Sequence, residues 1–133
     1  ERSKGVRWIF ICSLNTHPSL LVLQGSSAGA ITVWNAINHN PYLYKAAILS
    51  FPFLDVLNSL LDSELALSGI DYSEFGNPNE SLDILTPYKV TALPNNKVQE
   101  YPAIFIQAGK NDYRCPLYQV LKFAQRFRHR AKP

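Results

Sequence analysis

Apolar residues in this chain gather into short runs separated by turn-forming residues. Leu20-Leu21-Val22-Leu23-Gln24 ends on Gly25, which predicts a buried strand stopped by a turn. From Ala28 to Asn38, Ile31, Trp34 and Ile37 recur at helical spacing, and Asn38-His39-Asn40-Pro41 supplies the stop. Lys45 to Ser50 is the next strand, broken at Phe51-Pro52-Phe53 because proline cannot donate to a ladder. A short helix is predicted over 54–61. Ser68-Gly69 and Gly76-Asn77-Pro78 then punctuate a stretch expected to be largely irregular. Ala103 to Ala108 is a third buried strand, stopped at Gly109 and followed by the polar loop Lys110-Asn111-Asp112. Pro116 suits a first helical turn, after which Leu117, Val120, Leu121, Ala124 and Phe127 mark one helix face.

Strands alternating with helices predict an α/β fold with a doubly wound, mostly parallel sheet, whose ligands bind at the carboxyl ends of the strands. At 133 residues the chain has the length of one domain, taken as roughly 100 to 200 residues. With 47% hydrophobic and 17% charged residues it has the means to bury a core and is no disordered tail. A net charge of +3 is too small to imply a nucleic-acid partner. Lys122, Arg126, Arg128 and Arg130 form a basic face on the last helix, where cations near a C-terminus are favoured by the helix dipole in any case.

No apolar run approaches the roughly 18 residues of a membrane span. No targeting signal is visible either, so a cytoplasmic location is expected. Cys12 and Cys115 match no metal or redox spacing and read as free or buried thiols, and no cofactor is expected. The chain contains no methionine and so reads as a section of a longer protein.

The chemistry concentrates at two places. Gly25-Ser26-Ser27-Ala28-Gly29 satisfies G-x-S-x-G and lies between a predicted strand and a predicted helix, the context of a nucleophile elbow. Small residues let the chain turn sharply, exposing Ser27 Oγ as nucleophile while the Ala28 N–H at the helix start serves an oxyanion. A serine needs a base and an orienting acid, which in the α/β-hydrolase fold follow in the order Ser, Asp or Glu, His. Asp112 stands 85 residues after Ser27 in the loop following the third strand. Spacing alone does not separate that acid from an ordinary Asn-Asp turn.

Further segments share one resemblance with the elbow: Ala46-Ala47-Ile48, Pro52-Phe53-Leu54-Asp55-Val56-Leu57-Asn58, Glu74-Phe75-Gly76-Asn77-Pro78, Thr86-Pro87-Tyr88, Tyr101-Pro102-Ala103 and Asn111-Asp112-Tyr113-Arg114. In that order they resemble the catalytic domain of the prolyl oligopeptidase family of serine peptidases, nearest its oligopeptidase B and prolyl endopeptidase-like branch. The resemblance implies an incomplete α/β-hydrolase fold over 1–133, with Ser27 as nucleophile, Asp112 as triad acid and the Ala28 N–H as an oxyanion donor. It makes Arg114 the counterpart of an arginine that meets the substrate backbone. In that branch two acidic residues, two apart, hold a basic substrate side chain; here the places read Asp71 and Ser73, with Glu74 alongside. Cys115 stands where the family usually has valine, and Ala30 where it usually has glycine.

From Leu54 to Tyr88 there are seven acidic residues and no lysine or arginine. A peptide substrate is expected, with Asp71 and Glu74 as binding residues. The base is the gap in this scheme: His129 follows Asp112 by only 17 residues, inside the predicted last helix, and His17 and His39 precede the acid. By resemblance, the histidine lies in a segment downstream and an access-restricting β-propeller lies upstream, both outside these 133 residues. The chain by itself is then expected to be inactive. The other readings are a non-catalytic interaction module on the same fold and an esterase, because fold and nucleophile do not fix the acyl substrate.

Overall fold

The computed structural model describes residues 17–62, 64, 68–80 and 100–128. Three strands, β1 (Val22–Ser26), β2 (Ala46–Ser50) and β3 (Ala103–Gln107), form a parallel sheet in the order β1-β2-β3. Val22 pairs with Ala46 and Ala46 with Ala103, so the strands start and stop level with one another. Helix α1 (Gly29–His39) links β1 to β2. Helices α2 (Val56–Leu61) and α3 (Ser68–Phe75) follow β2, and α4 (Leu117–Arg128) follows β3. Parallel neighbours joined through helices are the α/β architecture that the run pattern predicts.

The strand side chains divide by parity. Leu23, Ala47, Leu49, Ile104 and Ile106 join one cluster with Ala30, Val33, Trp34 and Ile37 of α1 and Val120, Phe123 and Phe127 of α4. Trp34 is the centre of that cluster: it is fully buried, stacks on Tyr101 at 5.7 Å, and meets the edges of Phe123 at 4.6 Å and Phe127 at 5.7 Å. The opposite parity carries Val22, Gln24 and Phe105, which are exposed. Among the described residues only β2 holds fully buried strand positions, Ala47 and Leu49, whereas β1 and β3 alternate between exposed and half-buried. The expectation of three buried strands therefore holds for one.

Other departures have local causes. Leu20, expected in β1, lies in the 3-10 turn Pro18–Leu20 and is exposed. The helix expected from Leu54 begins at Val56: Asp55, at φ −116° and ψ 63°, is outside the helical region and stands as the N-cap, and the Leu54 and Asp55 N–H groups donate to the Gln119 side chain. The stretch after Leu61, expected to be irregular, contains α3. Gly76, at φ 90°, stops that helix, its N–H donating to the Tyr72 carbonyl at 3.0 Å. On α4 the inward arc is Gln119, Val120 and Phe123, while Leu121, expected to face inward, is exposed. Cys12, Thr86-Pro87-Tyr88 and His129 lie outside the described residues.

Candidate active site

Ser27 and Asp112 sit at the same end of the sheet because β1 and β3 run parallel and stop in register. Ser27 directly follows β1, and its N–H extends the ladder to the Ser50 carbonyl at 3.1 Å. Its φ of 49° is left-handed, a conformation costing a non-glycine residue about 1–2 kcal/mol. Three hydrogen bonds hold it there: besides the ladder bond, its carbonyl accepts from Ala30 and from Phe53, both at 3.1 Å. The turn lifts the exposed side chain off the strand end. The Ala28 N–H, at the start of α1, has no acceptor among the described residues.

The two glycines of the elbow are not equivalent. A Cβ on Gly25 would lie 2.7 Å from the Gly29 carbonyl oxygen and 2.8 Å from Val33 Cγ2, so β1 and α1 touch through a missing side chain. Gly29 has nothing within 4 Å of the same position. Gly25→Ala should therefore lower stability by about 1–3 kcal/mol. Gly29→Ala should leave it unchanged or raise it by up to about 1 kcal/mol. Denaturant midpoints of the two variants check this, and an equal loss for both would contradict the contact.

On the other side of the site, Asp112 shapes its own loop. Its Oδ1 accepts the N–H groups of Arg114 and Cys115, each at 2.9 Å. This Asx-type turn leaves Oδ2 without a partner among the described residues. It also carries Cys115, which is buried and in no disulfide, to 3.8 Å from Ser27, Sγ to Oγ. The acid loop and the nucleophile loop are thus in direct contact across the end of β2. Phe51, which follows β2, is also a non-glycine residue in the left-handed region, at φ 47°, and its N–H donates to the Gln107 carbonyl at 2.7 Å.

Of the remaining candidates, Arg114 is exposed beside Asp112. Glu74 is exposed on α3, with Asp71 three positions before it on the same helix. That helix is fastened to the site region: Phe75 meets Phe53 edge-on at 5.6 Å, and the Tyr72 hydroxyl donates to the Leu60 carbonyl at 2.9 Å. His17 is exposed ahead of β1 and bonds Ser19, and His39 is exposed in the last turn of α1, the far end from Ser27. Neither stands with Ser27 and Asp112. Gln119 is the residue that sequence reading missed; the signal for it is one polar side chain directly beside Val120 in an otherwise apolar arc.

The profile of the prolyl oligopeptidase family matches residues 4–133. The chain belongs to the prolyl oligopeptidase family. Its relatives in that family include the human prolyl endopeptidase-like protein, 35% identical over 119 residues, a match covering 85% of this chain and 16% of that protein. Among solved structures, oligopeptidase B from Leishmania major superposes with a TM-score of 0.77 at 31% identity, over 89% of this chain and 16% of that one. Oligopeptidase B from Trypanosoma brucei, in a closed form with covalently bound antipain, gives a TM-score of 0.78 at 32% identity, over 89% and 17%. The chain therefore spans about one sixth of the length of these prolyl oligopeptidase relatives. The α/β-hydrolase fold expected from the elbow is the fold of this match. No helix among the described residues is long and apolar enough to cross a membrane.

Proposed function

We propose that these residues form the nucleophile and acid section of a serine peptidase that cleaves short peptides through an acyl-enzyme on Ser27. The observation that carries this reading is the meeting of the two loops: a strained, exposed serine after β1 and a half-used carboxylate after β3, bridged by the Ser27–Cys115 contact. The ends of β1 and β3 are two strand spacings, about 10 Å, apart. An imidazole hydrogen-bonded at both ends suits such a gap. It would take the Ser27 proton on one nitrogen while Asp112 Oδ2 accepts from the other. Ser27 Oγ then attacks the substrate carbonyl, whose oxygen gathers negative charge and receives the Ala28 N–H. The protonated base gives its proton to the leaving amine, and water later releases the acyl group by the same route in reverse.

The base comes from outside these 133 residues, supplied by a downstream segment of a longer chain that also carries an upstream propeller domain. Arg114 meets the substrate backbone, and Asp71 and Glu74 favour basic side chains on the peptide. The scheme needs no metal or cofactor. The test is fluorophosphonate labelling of the chain extended through its flanking sequence in both directions, with Ser27→Ala as the control. Labelling is expected, and it should vanish in the alanine variant. A folded extended chain that takes no label would overturn the peptidase reading in favour of an interaction module, and cleavage of esters alone would favour an esterase.

A further inference from the structure

Gln119 is fully buried on α4, and each of its side-chain polar atoms is used. Its Oε1 accepts the N–H groups of Leu54 at 3.2 Å and Asp55 at 3.1 Å, and its Nε2 donates to Ser59 Oγ at 2.6 Å. Leu54 and Asp55 belong to the segment after β2, and the adjacent Phe53 N–H donates to the Ser27 carbonyl. In the other direction the Gln119 backbone N–H donates to the Pro116 carbonyl at 3.0 Å, and Pro116 follows Cys115, whose N–H is held by Asp112 Oδ1. One glutamine therefore joins the loops at the carboxyl ends of all three strands.

A bracket of this kind is a costly way to fill a core position. Burying an amide side chain is tolerated only when its groups are paired, and a leucine would pack there without that demand. The cost falls beside the one place where the spacing between two loops matters. We propose that Gln119 is a positioning residue that sets the relation between the Ser27 loop and the Asp112 loop. This rests on the reading of Ser27 and Asp112 as nucleophile and acid. Gln119 touches neither reacting group; it acts through Phe53 on one side and through Pro116 and Cys115 on the other.

The test compares variants of the extended chain by their rate of fluorophosphonate labelling per folded molecule, well below the unfolding midpoint. Gln119→Met keeps the length and removes both the acceptor and the donor. A misplacement of about 1 Å at a reacting centre costs on the order of 100-fold, so a loss of about 10- to 100-fold is expected. Gln119→Glu keeps the acceptor for Leu54 and Asp55 and should restore the rate to within a few-fold of the original. Phe127→Leu loosens the core contact of the same helix without touching the bracket, so it should lower the unfolding midpoint and leave the labelling rate unchanged.

Should Gln119→Met fail to fold, Ser59→Ala removes the hydroxyl that accepts from Nε2; a slower label at an unchanged midpoint supports the proposal, and the original rate overturns it. A folded Gln119→Met variant that labels at the original rate, or a Phe127→Leu variant that loses as much as Gln119→Met, also overturns it. These outcomes differ from failure of the underlying reading, in which the unsubstituted protein takes no label at all and the positioning role falls with it.

Discussion

Asp112→Asn in the extended chain is expected to leave the fold intact and to reduce peptide hydrolysis by about 10⁴-fold, the size of effect measured for that exchange in a well-studied serine protease. The reason lies in the division of labour between the two carboxylate oxygens. Oδ1 accepts from Arg114 and Cys115, and an asparagine oxygen keeps both bonds. The amide nitrogen then falls where Oδ2 stood, and it donates where the base requires an acceptor, holding the imidazole in the wrong tautomer. Asp112→Ala, by contrast, removes the turn as well and should lose both activity and stability. Thermal midpoints and hydrolysis of a fluorogenic peptide separate the two. If the asparagine variant stays folded with activity within tenfold of the original, Asp112 is a turn residue and nothing more.

The largest loss of stability is expected at Trp34. It is fully buried against Tyr101, Phe123 and Phe127, and truncation of a large aromatic in such a site costs about 3–5 kcal/mol. Trp34→Phe should cost much less, under about 2 kcal/mol. Most of the ring contacts survive in phenylalanine, and the buried Nε1, which has no partner among the described residues, is removed with its desolvation penalty. Denaturant midpoints followed by far-ultraviolet circular dichroism measure the difference. Equal losses for Phe and Ala would mean that the indole N–H is bonded and contributes to the stability of the core.

Much of this arrangement is legible in the sequence, and the parts that are not share a cause. The three parallel strands, α1 and the G-x-S-x-G turn follow from apolar runs and glycine stops, which are local signals. Local signals do not say how a helix is rolled on its sheet. Leu117, Val120, Leu121, Ala124 and Phe127 make an acceptable apolar face by spacing, yet α4 turns so that Phe123 and Gln119 are fully buried and Leu121 is exposed. The roll is fixed by Trp34 and by the backbone donors of Leu54 and Asp55, which lie far away in sequence.

Helix α3 was hidden for a different reason: Gly69 reads as a breaker, but a single glycine in a helix costs only about 1 kcal/mol. Its packing against α2 and Phe53 outweighs that. The proximity of Cys115 to Ser27 had no sequence signal at all, since 88 residues separate the two positions.

Strand order carries a consequence for biosynthesis. Among the described residues, β1, β2 and β3 adjoin one another in the order in which they leave the ribosome, so none of these three has to be inserted between two that are already paired. The β1-α1-β2 unit is complete once Ser50 has emerged, but β3 begins only at Ala103. At about 5–20 residues per second, the intervening stretch takes about 3 to 10 s to appear. For that interval the edge of β2 that β3 will occupy presents unpaired amides and carbonyls to any other nascent chain. For the several seconds of that synthesis the middle one of these three strands therefore still acts as an edge.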